Sequence, residues 1–307
     1  MEIGKVCIIR AKLKDDYVWD AIKKYGFEIY TPYKDKNIVL RLMREVWYRA
    51  GLPNRKIWYN GAIKNINADT IVVYDPLITS DLLIWLKERY PKARIVLSYE
   101  NRADTTINPS SIDNTIEKWS YDEDDCEKYD MGFVTPNFFD VYGFDSREYK
   151  KEYDILYLGR DKGRLQQLLD YENIFKKLNL KTYFHICADR SYMRYKNKKY
   201  KKVLSYREYL ELVKKSNAIL NIAREGQTSI TQRELEAVFF NVKCITTNKG
   251  ILNFELYDPS RYFVLGEENG MDINTFLDLP MPKIEGEVIN RYKYKTVLMK
   301  ILAGENK

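Results

Sequence analysis

Short, unbroken apolar runs recur along this chain, each followed by a stretch whose apolar residues repeat at helical spacing. "KVCIIRA" (5–11), "FEIYTP" (27–32), "ADTIVVYDP" (68–76) and "ARIVLSYEN" (93–101) read as strands. Between them "DYVWDAIKKYG" (16–26), "NIVLRLMREVWYRAG" (37–51) and "TSDLLIWLKERYP" (79–91) read as helices. The first ends at Gly26, the second at Gly51 and Pro53, and the third is capped by Thr79 or Ser80. A mixed segment then ends in "MGFVTPNFF" (131–139). A strand that is apolar at consecutive positions is covered on both faces, so this rhythm constrains the chain to parallel sheets flanked by helices.

After a polar, basic segment, "DVYGFDSREYKKE" (140–152), the rhythm restarts. "YDILYLG" (153–159), "LKTYFHICA" (180–188), "NAILNIA" (217–223) and "VKCITTN" (242–248) read as strands. "GRLQQLLDYENIFKKLN" (163–179), "SYREYLELVKKS" (205–216), "SITQRELEAVFFN" (229–241) and "NRYKYKTVLMKILAG" (290–304) read as helices. With 307 residues the chain exceeds one ordinary core. The expectation is therefore an α/β protein of two Rossmann-like domains facing a cleft, residues 1–145 and 146–307, with the final helix packing back toward the first.

Composition narrows the class. The chain is 45% hydrophobic and 31% charged, with nine prolines, which is globular rather than disordered. Cys7, Cys126, Cys187 and Cys244 lie far apart and form no metal or redox pair, so reduced structural thiols and a cytoplasmic setting are expected. The N-terminal apolar run is too short for a signal peptide, and no window reaches the ~18 apolar residues of a membrane span. The net charge of +7 favours phosphate, whether in a nucleotide, a nucleic acid or an anionic membrane.

In open α/β sheets ligands sit beyond the carboxyl ends of the strands. In the second half those positions hold Gly159, Arg160, Lys162, Gly163 and Arg164, then the loop from Arg224 to Thr231, then Thr246, Thr247 and Asn248. Amide N–H groups at helix starts attract anions, and arginine adds a fork suited to phosphate oxygens. "LGRDKGR" is neither GxGxxG nor GxxxxGK[ST], which disfavours a nicotinamide or P-loop site. In "REGQTSITQRELEA" (224–237), Ser229 or Thr231 can cap a helix, but capping leaves Arg224, Gln227 and Arg233 unexplained. Glu236, if it faces the opening, can accept both hydroxyls of a ribose.

These residues carry a resemblance. "YDILYLGRDKGR" followed by "NAILNIAREGQTSITQRELEAVFFNVKCITTN" resembles the nucleotide-sugar-binding domain of bacterial GT-B glycosyltransferases of lipopolysaccharide or capsule synthesis. "DTIVVYDP", "LLIWLKERYPKARIVLSYEN" and "KWSYDEDDCEKYDMGFVTPNFF" resemble the acceptor half of that group. The similarity covers most of residues 1–265 and rests on pattern and a few dipeptides. It implies that Arg233 and Glu236 bind the donor nucleotide. It further implies that 1–145 is an acceptor domain and 146–307 a donor domain. Retaining members often carry two glutamates eight apart, the second followed by alanine. Glu236 and Ala237 fit the second, but the first falls on Thr228, which leaves the stereochemical course open.

Asp122, Asp124 and Asp125 in "YDEDDCEKYD" (121–130) look like a metal-chelating DxD, yet the group generally works without bound metal, so no metal is expected. The single histidine, His185, falls in the half opposite to that expected for the acceptor base. Asp75 and Glu100, each just past a buried strand of the first half, are the candidate catalytic bases. "RSYMRYKNKKYKKVLSYR" (190–207) carries eight basic residues and four tyrosines, as single-strand nucleic-acid binders do, or forms a solvated loop. The helix at 37–51 sets Ile38, Leu42, Val46 and Trp47 on one face, for core packing or for contact with anionic lipid.

The expected activity is sugar transfer from a nucleotide diphosphate to a saccharide acceptor, a lipid-linked surface glycan, without cofactor. Donor-site residues are Gly159, Arg160, Arg164, Arg224, Ser229, Thr231, Arg233 and Glu236. The expected place is the cytoplasm, at the inner face of the plasma membrane when bound to it, with no nucleic-acid partner. A basic nucleic-acid-binding protein and another nucleotide-dependent Rossmann-type enzyme are the alternatives.

Overall fold

The computed structural model describes residues 4–12, 16–34, 37–142, 149–189, 197–224 and 226–304. It divides into two compact units, one of Met1–Thr135 with Tyr294–Lys307, the other Pro136–Lys293. The expected linker at 140–152 falls in part on residues 143–148, which lie outside the described residues.

The first unit holds one parallel sheet of β1 (Val6–Ile9), β2 (Glu28–Tyr30), β3 (Thr70–Tyr74), β4 (Arg94–Ser98), β5 (Glu117–Ser120) and β6 (Gly132–Phe133). Their spatial order is β2-β1-β3-β4-β5-β6, with every pair parallel. The central strands are sealed on both faces, as their unbroken apolar runs require: Cys7, Ile8, Ile71, Val72 and Val96 are fully buried. Helices α1 (Tyr17–Lys24), α2 (Ile38–Arg49), α3 (Ser80–Arg89) and α4 (Glu123–Tyr129) connect these strands. β5, α4 and β6 come from the segment whose sequence read only as mixed.

The second unit repeats the plan with β7 (Tyr153–Arg160), β8 (Thr182–Cys187), β9 (Ser216–Asn221), β10 (Lys243–Thr246) and β11 (Tyr262–Val264). The order is β11-β10-β9-β7-β8, again parallel throughout. Its principal helices are α5 (Leu165–Lys177), α6 (Tyr206–Lys214) and α7 (Gln232–Phe239). Each unit is thus a doubly wound α/β layer, the expected fold class.

The single helix expected at 290–304 is two helices, Gly286–Arg291 and Tyr294–Ala303, and the division between the units falls between them. Tyr292 stays with the second unit, where its carbonyl accepts from Phe138 N–H at 2.7 Å and its hydroxyl bonds Glu255. Tyr294 belongs to the first, its hydroxyl 2.9 Å from that of Tyr74. Arg94 closes the end of this last helix, donating from Nη1 to Leu302 O at 2.6 Å and from Nη2 to Ile301 O at 2.9 Å. Those carbonyls belong to the last turn, where Ile301 O also accepts from Gly304 N–H at 3.2 Å, and the arginine serves acceptors that an ending helix leaves.

Candidate functional site

Strand order reverses between β7 and β9 in the second sheet, since β8 lies outside one and β10 outside the other. Ligands of such sheets bind beyond the carboxyl ends of the strands at that reversal. After β7 the chain turns through Lys162 (φ 48°) and Gly163 (φ 78°) to Arg164, the residue that begins α5. After β9 it enters the loop leading to α7. Lys162, Arg164, Asp189, Ala223 and Arg224 line a cavity of about 580 Å³ there.

Arg164 braces this opening. Its Nη1 donates to the carbonyls of Ile222 and Ala223, each at 2.9 Å, tying α5 to the end of β9. Arg160 ties β7 to β8 in the same way, donating to Ala188 O at 2.8 Å and Asp189 O at 2.6 Å. Gln227 closes the turn after β9, its N–H donating to Arg224 O at 3.1 Å and its side-chain oxygen accepting from Arg224 N–H. Arg224 is left with an exposed guanidinium on the cavity wall. Lys162 titrates below its ordinary value, through burial first and then the repulsion of Arg224, Arg233 and Arg164, with Asp189 opposing. Among the described residues that line it, Lys162, Arg164 and Arg224 outnumber Asp189, so the opening is built for an anion.

Beneath the loop lies a polar hub. Glu234 is fully buried and its carboxylate accepts from Thr231 N–H at 2.6 Å, Asn221 Nδ2 and Thr246 Oγ1 at 3.0 Å, and Asn248 Nδ2 at 3.2 Å. Burial raises its pKa and those donors oppose the rise. The hub locks the first turn of α7 to the ends of β9 and β10. Thr231, expected at the ligand, serves here instead, as the cap of α7 and as acceptor for Asn221 at 3.1 Å. Ser229 gives its carbonyl to Asn248 at 3.0 Å, and its hydroxyl is enclosed without a hydrogen-bond partner among the described residues.

Two expected donor-site residues, Arg233 and Glu236, turn inward. Arg233 reaches from α7 to β7, donating to Leu158 O, with its guanidinium 5.3 Å from the ring centre of Tyr157. A side chain at Gly159 would collide with that guanidinium, so the glycine admits the arginine rather than a ligand. Glu236 is 1% exposed, with both carboxylate oxygens accepting, one from Tyr206 Oη at 2.7 Å and one from Tyr209 Oη. Burial pushes its pKa up to about 7, against the tyrosine hydrogen bonds and Arg233. The expected ribose contact at Glu236 is corrected by this: its position on the inner face of α7 points it at α6. Asn221, which the apolar reading of "NAILNIA" passed over, is the missed residue; a polar side chain ending a buried strand was its signal.

In the first sheet the order reverses between β1 and β3. Arg10, just past β1, is 4% exposed and donates from Nε to both oxygens of Glu100 at 2.9 Å and from Nη1 to Asp16. Burial alone would lower the guanidinium's pKa, but Glu100 and Asp16 raise it. Asp75, just past β3, is 1% exposed and accepts from Glu100 N–H at 2.5 Å and Asn101 Nδ2 at 3.1 Å. Burial, opposed by those donors and reinforced by the charge of Glu100, pushes its pKa up to about 7. Both expected catalytic carboxylates thus meet at one strand edge. They differ in kind: Glu100 is held by a buried arginine, whereas Asp75 has only neutral donors. Arg10 was hidden in the sequence as the end of an apolar run.

The remaining chemical motifs are structural where described. Asp122 caps α4 by accepting from Asp125 N–H at 3.1 Å, and Asp125 accepts from Ala103 N–H at 2.7 Å. Among the described residues no group of three or more His, Cys, Asp or Glu is arranged to hold a metal ion. His185 is buried with Nε2 2.6 Å from Lys202 O, and burial lowers its pKa. Of the basic stretch at 190–207, residues 190–196 lie outside the described residues. Lys201 beside them is built into the sheet edge, its Nζ donating to Phe184 O at 2.8 Å. No helix among the described residues is long and apolar enough to cross a membrane.

No family model matches the chain, and no curated protein matches it. Solved structures do. S. aureus MnaA, in a co-structure with UDP, is 9% identical at a TM-score of 0.48, over 97% of this chain and 95% of that one. A candidate UDP-N-acetylglucosamine 2-epimerase from Listeria monocytogenes is 11% identical at 0.48, over 98% and 95%. Anabaena HepE in complex with UDP is 10% identical at 0.47, over 98% and 99%.

Proposed function

We propose that the chain transfers a sugar from a nucleotide-diphosphate donor to a saccharide acceptor, a lipid-linked surface glycan. The observation that carries this reading is the cationic cavity at the β7–β9 reversal. Lys162 and Arg224 are set to meet the diphosphate oxygens, with Arg164 bracing the wall behind them. No side chain caps α5, so its first N–H groups and the positive end of its dipole serve the same anion. As the bond to the sugar breaks, negative charge grows on the departing diphosphate, and fixed cations stabilise that charge more than the ground state. Asp75 is the base in this reading. Its raised pKa suits it to accept a proton from an acceptor hydroxyl near neutral pH. Glu100, held by Arg10, orients the cluster; burial raises its pKa and the charge and hydrogen bonds of Arg10 oppose the rise. The reading needs no metal, because arginine and lysine supply the charge stabilisation.

A thermal-shift panel of UDP, GDP, CDP, CMP and ADP tests the donor site. A bound nucleotide at a hundredfold its Kd adds about 2.7 kcal/mol of stability, a shift easily read. The double variant Lys162→Ala with Arg224→Ala should lose it. A panel in which no nucleotide raises the melting temperature removes the support for the donor site. A nucleotide shift without sugar transfer to any saccharide would leave nucleotide binding and overturn the transferase chemistry.

A further inference from the structure

α2 is mounted with its polar side inward. Of its twelve residues Arg44 alone is buried, its guanidinium 4.1 Å from the ring centre of Tyr33 and 5.7 Å from that of Tyr48. The aliphatic residues face outward: Ile38 is 73% exposed, Val39 59%, Leu42 53%, Met43 54% and Val46 64%. At ~3.6 residues per turn these five span an arc of roughly 140° whose middle lies opposite Arg44. Beyond the helix, Leu52 extends the patch. With Trp47 and Trp58 the helix lines a wholly apolar hollow of about 400 Å³. The Trp47 indole N–H donates to Pro53 O at 2.8 Å, fixing the turn that forms its far wall. A contiguous apolar surface of this kind on a folded unit marks a place where something else binds.

Charge selects the occupant. Among the described residues the nearby carboxylates are already taken: Glu45 by Arg41 at 3.0 Å, Asp81 by Arg55, and Glu88 by Lys56 at 3.3 Å. Lys34 and Arg49 are exposed and have no carboxylate partner among the described residues. Arg49 falls inside the apolar arc itself, about 20° from Ile38. A second copy docked on this face by a two-fold axis would set the same patch, and its unpaired cations, against itself. An anionic lipid surface accepts aliphatic side chains beneath cations and neutralises both.

We propose that α2 is a membrane-docking helix. It lies in the plane of an anionic bilayer with Ile38, Leu42 and Val46 below the headgroups and Lys34 and Arg49 on lipid phosphates. This does not depend on the donor site, and nucleotide binding is unaffected by its failure.

The test is co-sedimentation of the full chain with vesicles of phosphatidylcholine alone, or of equal parts phosphatidylcholine and phosphatidylglycerol, with sedimentation velocity in parallel. The chain should bind the anionic vesicles, less so in high salt, and leave neutral ones largely unbound. Leu42→Glu with Val46→Glu should abolish binding; both side chains are more than half exposed, so the fold tolerates the change. Lys34→Glu with Arg49→Glu keeps the apolar face and should weaken binding at least about fivefold per residue. Equal binding to neutral vesicles, or full binding by the Leu42/Val46 variant, overturns the proposal. So does a dimer in solution that the Leu42/Val46 variant dissolves.

Discussion

Gly250 and the carbonyl of Thr228 occupy adjoining space with no room for a side chain between them: a Cβ on Gly250 would overlap the Thr228 carbonyl. The backbone atoms of a rigid turn cannot step aside as a lysine tip can. Gly250 is further held by its N–H, which donates to Asn248 Oδ1 at 3.0 Å. Gly250→Ala should therefore push the 223–231 loop off the sheet edge and cost roughly 1–3 kcal/mol. Urea denaturation reads the loss, and nucleotide affinity should fall with it. An alanine variant as stable as wild type would mean that the loop does not rest on Gly250.

Glu234 is a second point of failure. Removing its carboxylate in Glu234→Ala leaves Asn221, Thr246 and Asn248 facing an unfilled site, and the expected cost is roughly 3–5 kcal/mol. Glu234→Gln keeps one oxygen acceptor and should cost less than half as much. Equal losses for both variants would argue that shape, not hydrogen bonding, is what the hub supplies.

Two of the four donor-site arginines named from sequence separate cleanly. Arg224→Ala removes an exposed side chain and should change the unfolding free energy by no more than about 0.5 kcal/mol while abolishing nucleotide stabilisation. Arg233→Ala strips the partner of Leu158 O, Tyr157 and Glu236, and should destabilise the unit with or without nucleotide. The reverse pattern would place the anion site at Arg233.

Two carboxyls tie stability to pH. Asp75 moves from an ordinary 3.8 to about 7, and Glu236 from 4.5 to about 7, chiefly through burial. A carboxyl with a raised folded pKa binds more protons folded than unfolded, so its contribution declines as pH rises between the two values. Each should lower the unfolding free energy by up to about 1.4 kcal/mol per pH unit in that window. Asp75→Asn and Glu236→Gln should each flatten the slope measured between pH 5 and 7. Variants that retain the full wild-type slope would assign the proton uptake to other groups.

Asp75 has a kinetic counterpart. As the base it must be ionised, so kcat/KM should rise about tenfold per pH unit below about 7 and level off above it. Asp75→Asn should abolish that limb together with most of the activity. A flat profile across pH 7 would remove Asp75 from the role.

The sheets were legible because fully covered strands leave unbroken apolar runs, and nearly every such run is a strand in place. β11 and the β5–α4–β6 segment were not: they are short, and Glu117, Lys118 and Asp122 dilute their apolar content. At the candidate site the polar loops could be found from strand ends, since Arg164 and Arg224 do line the cavity. The facing of a helix could not. Arg233 and Glu236 sit on α7 at positions whose inward turn depends on Tyr157, Tyr206 and Tyr209, residues distant in sequence. α2 is the sharper case, because its apolar stripe has the ordinary amphipathic period, and only Arg44 packed on Tyr33 reveals which side is in.

The return of Tyr294–Ala303 to the first unit makes the second unit an insertion within the first. A ribosome delivers Pro136–Lys293 as one continuous piece, able to fold as soon as it emerges. The first unit has most of its chain in hand long before, yet lacks the segment that meets Tyr74 and Arg94. The half made first is therefore finished last, and any nascent chain stopped short of Tyr294 exposes the seam that this helix closes.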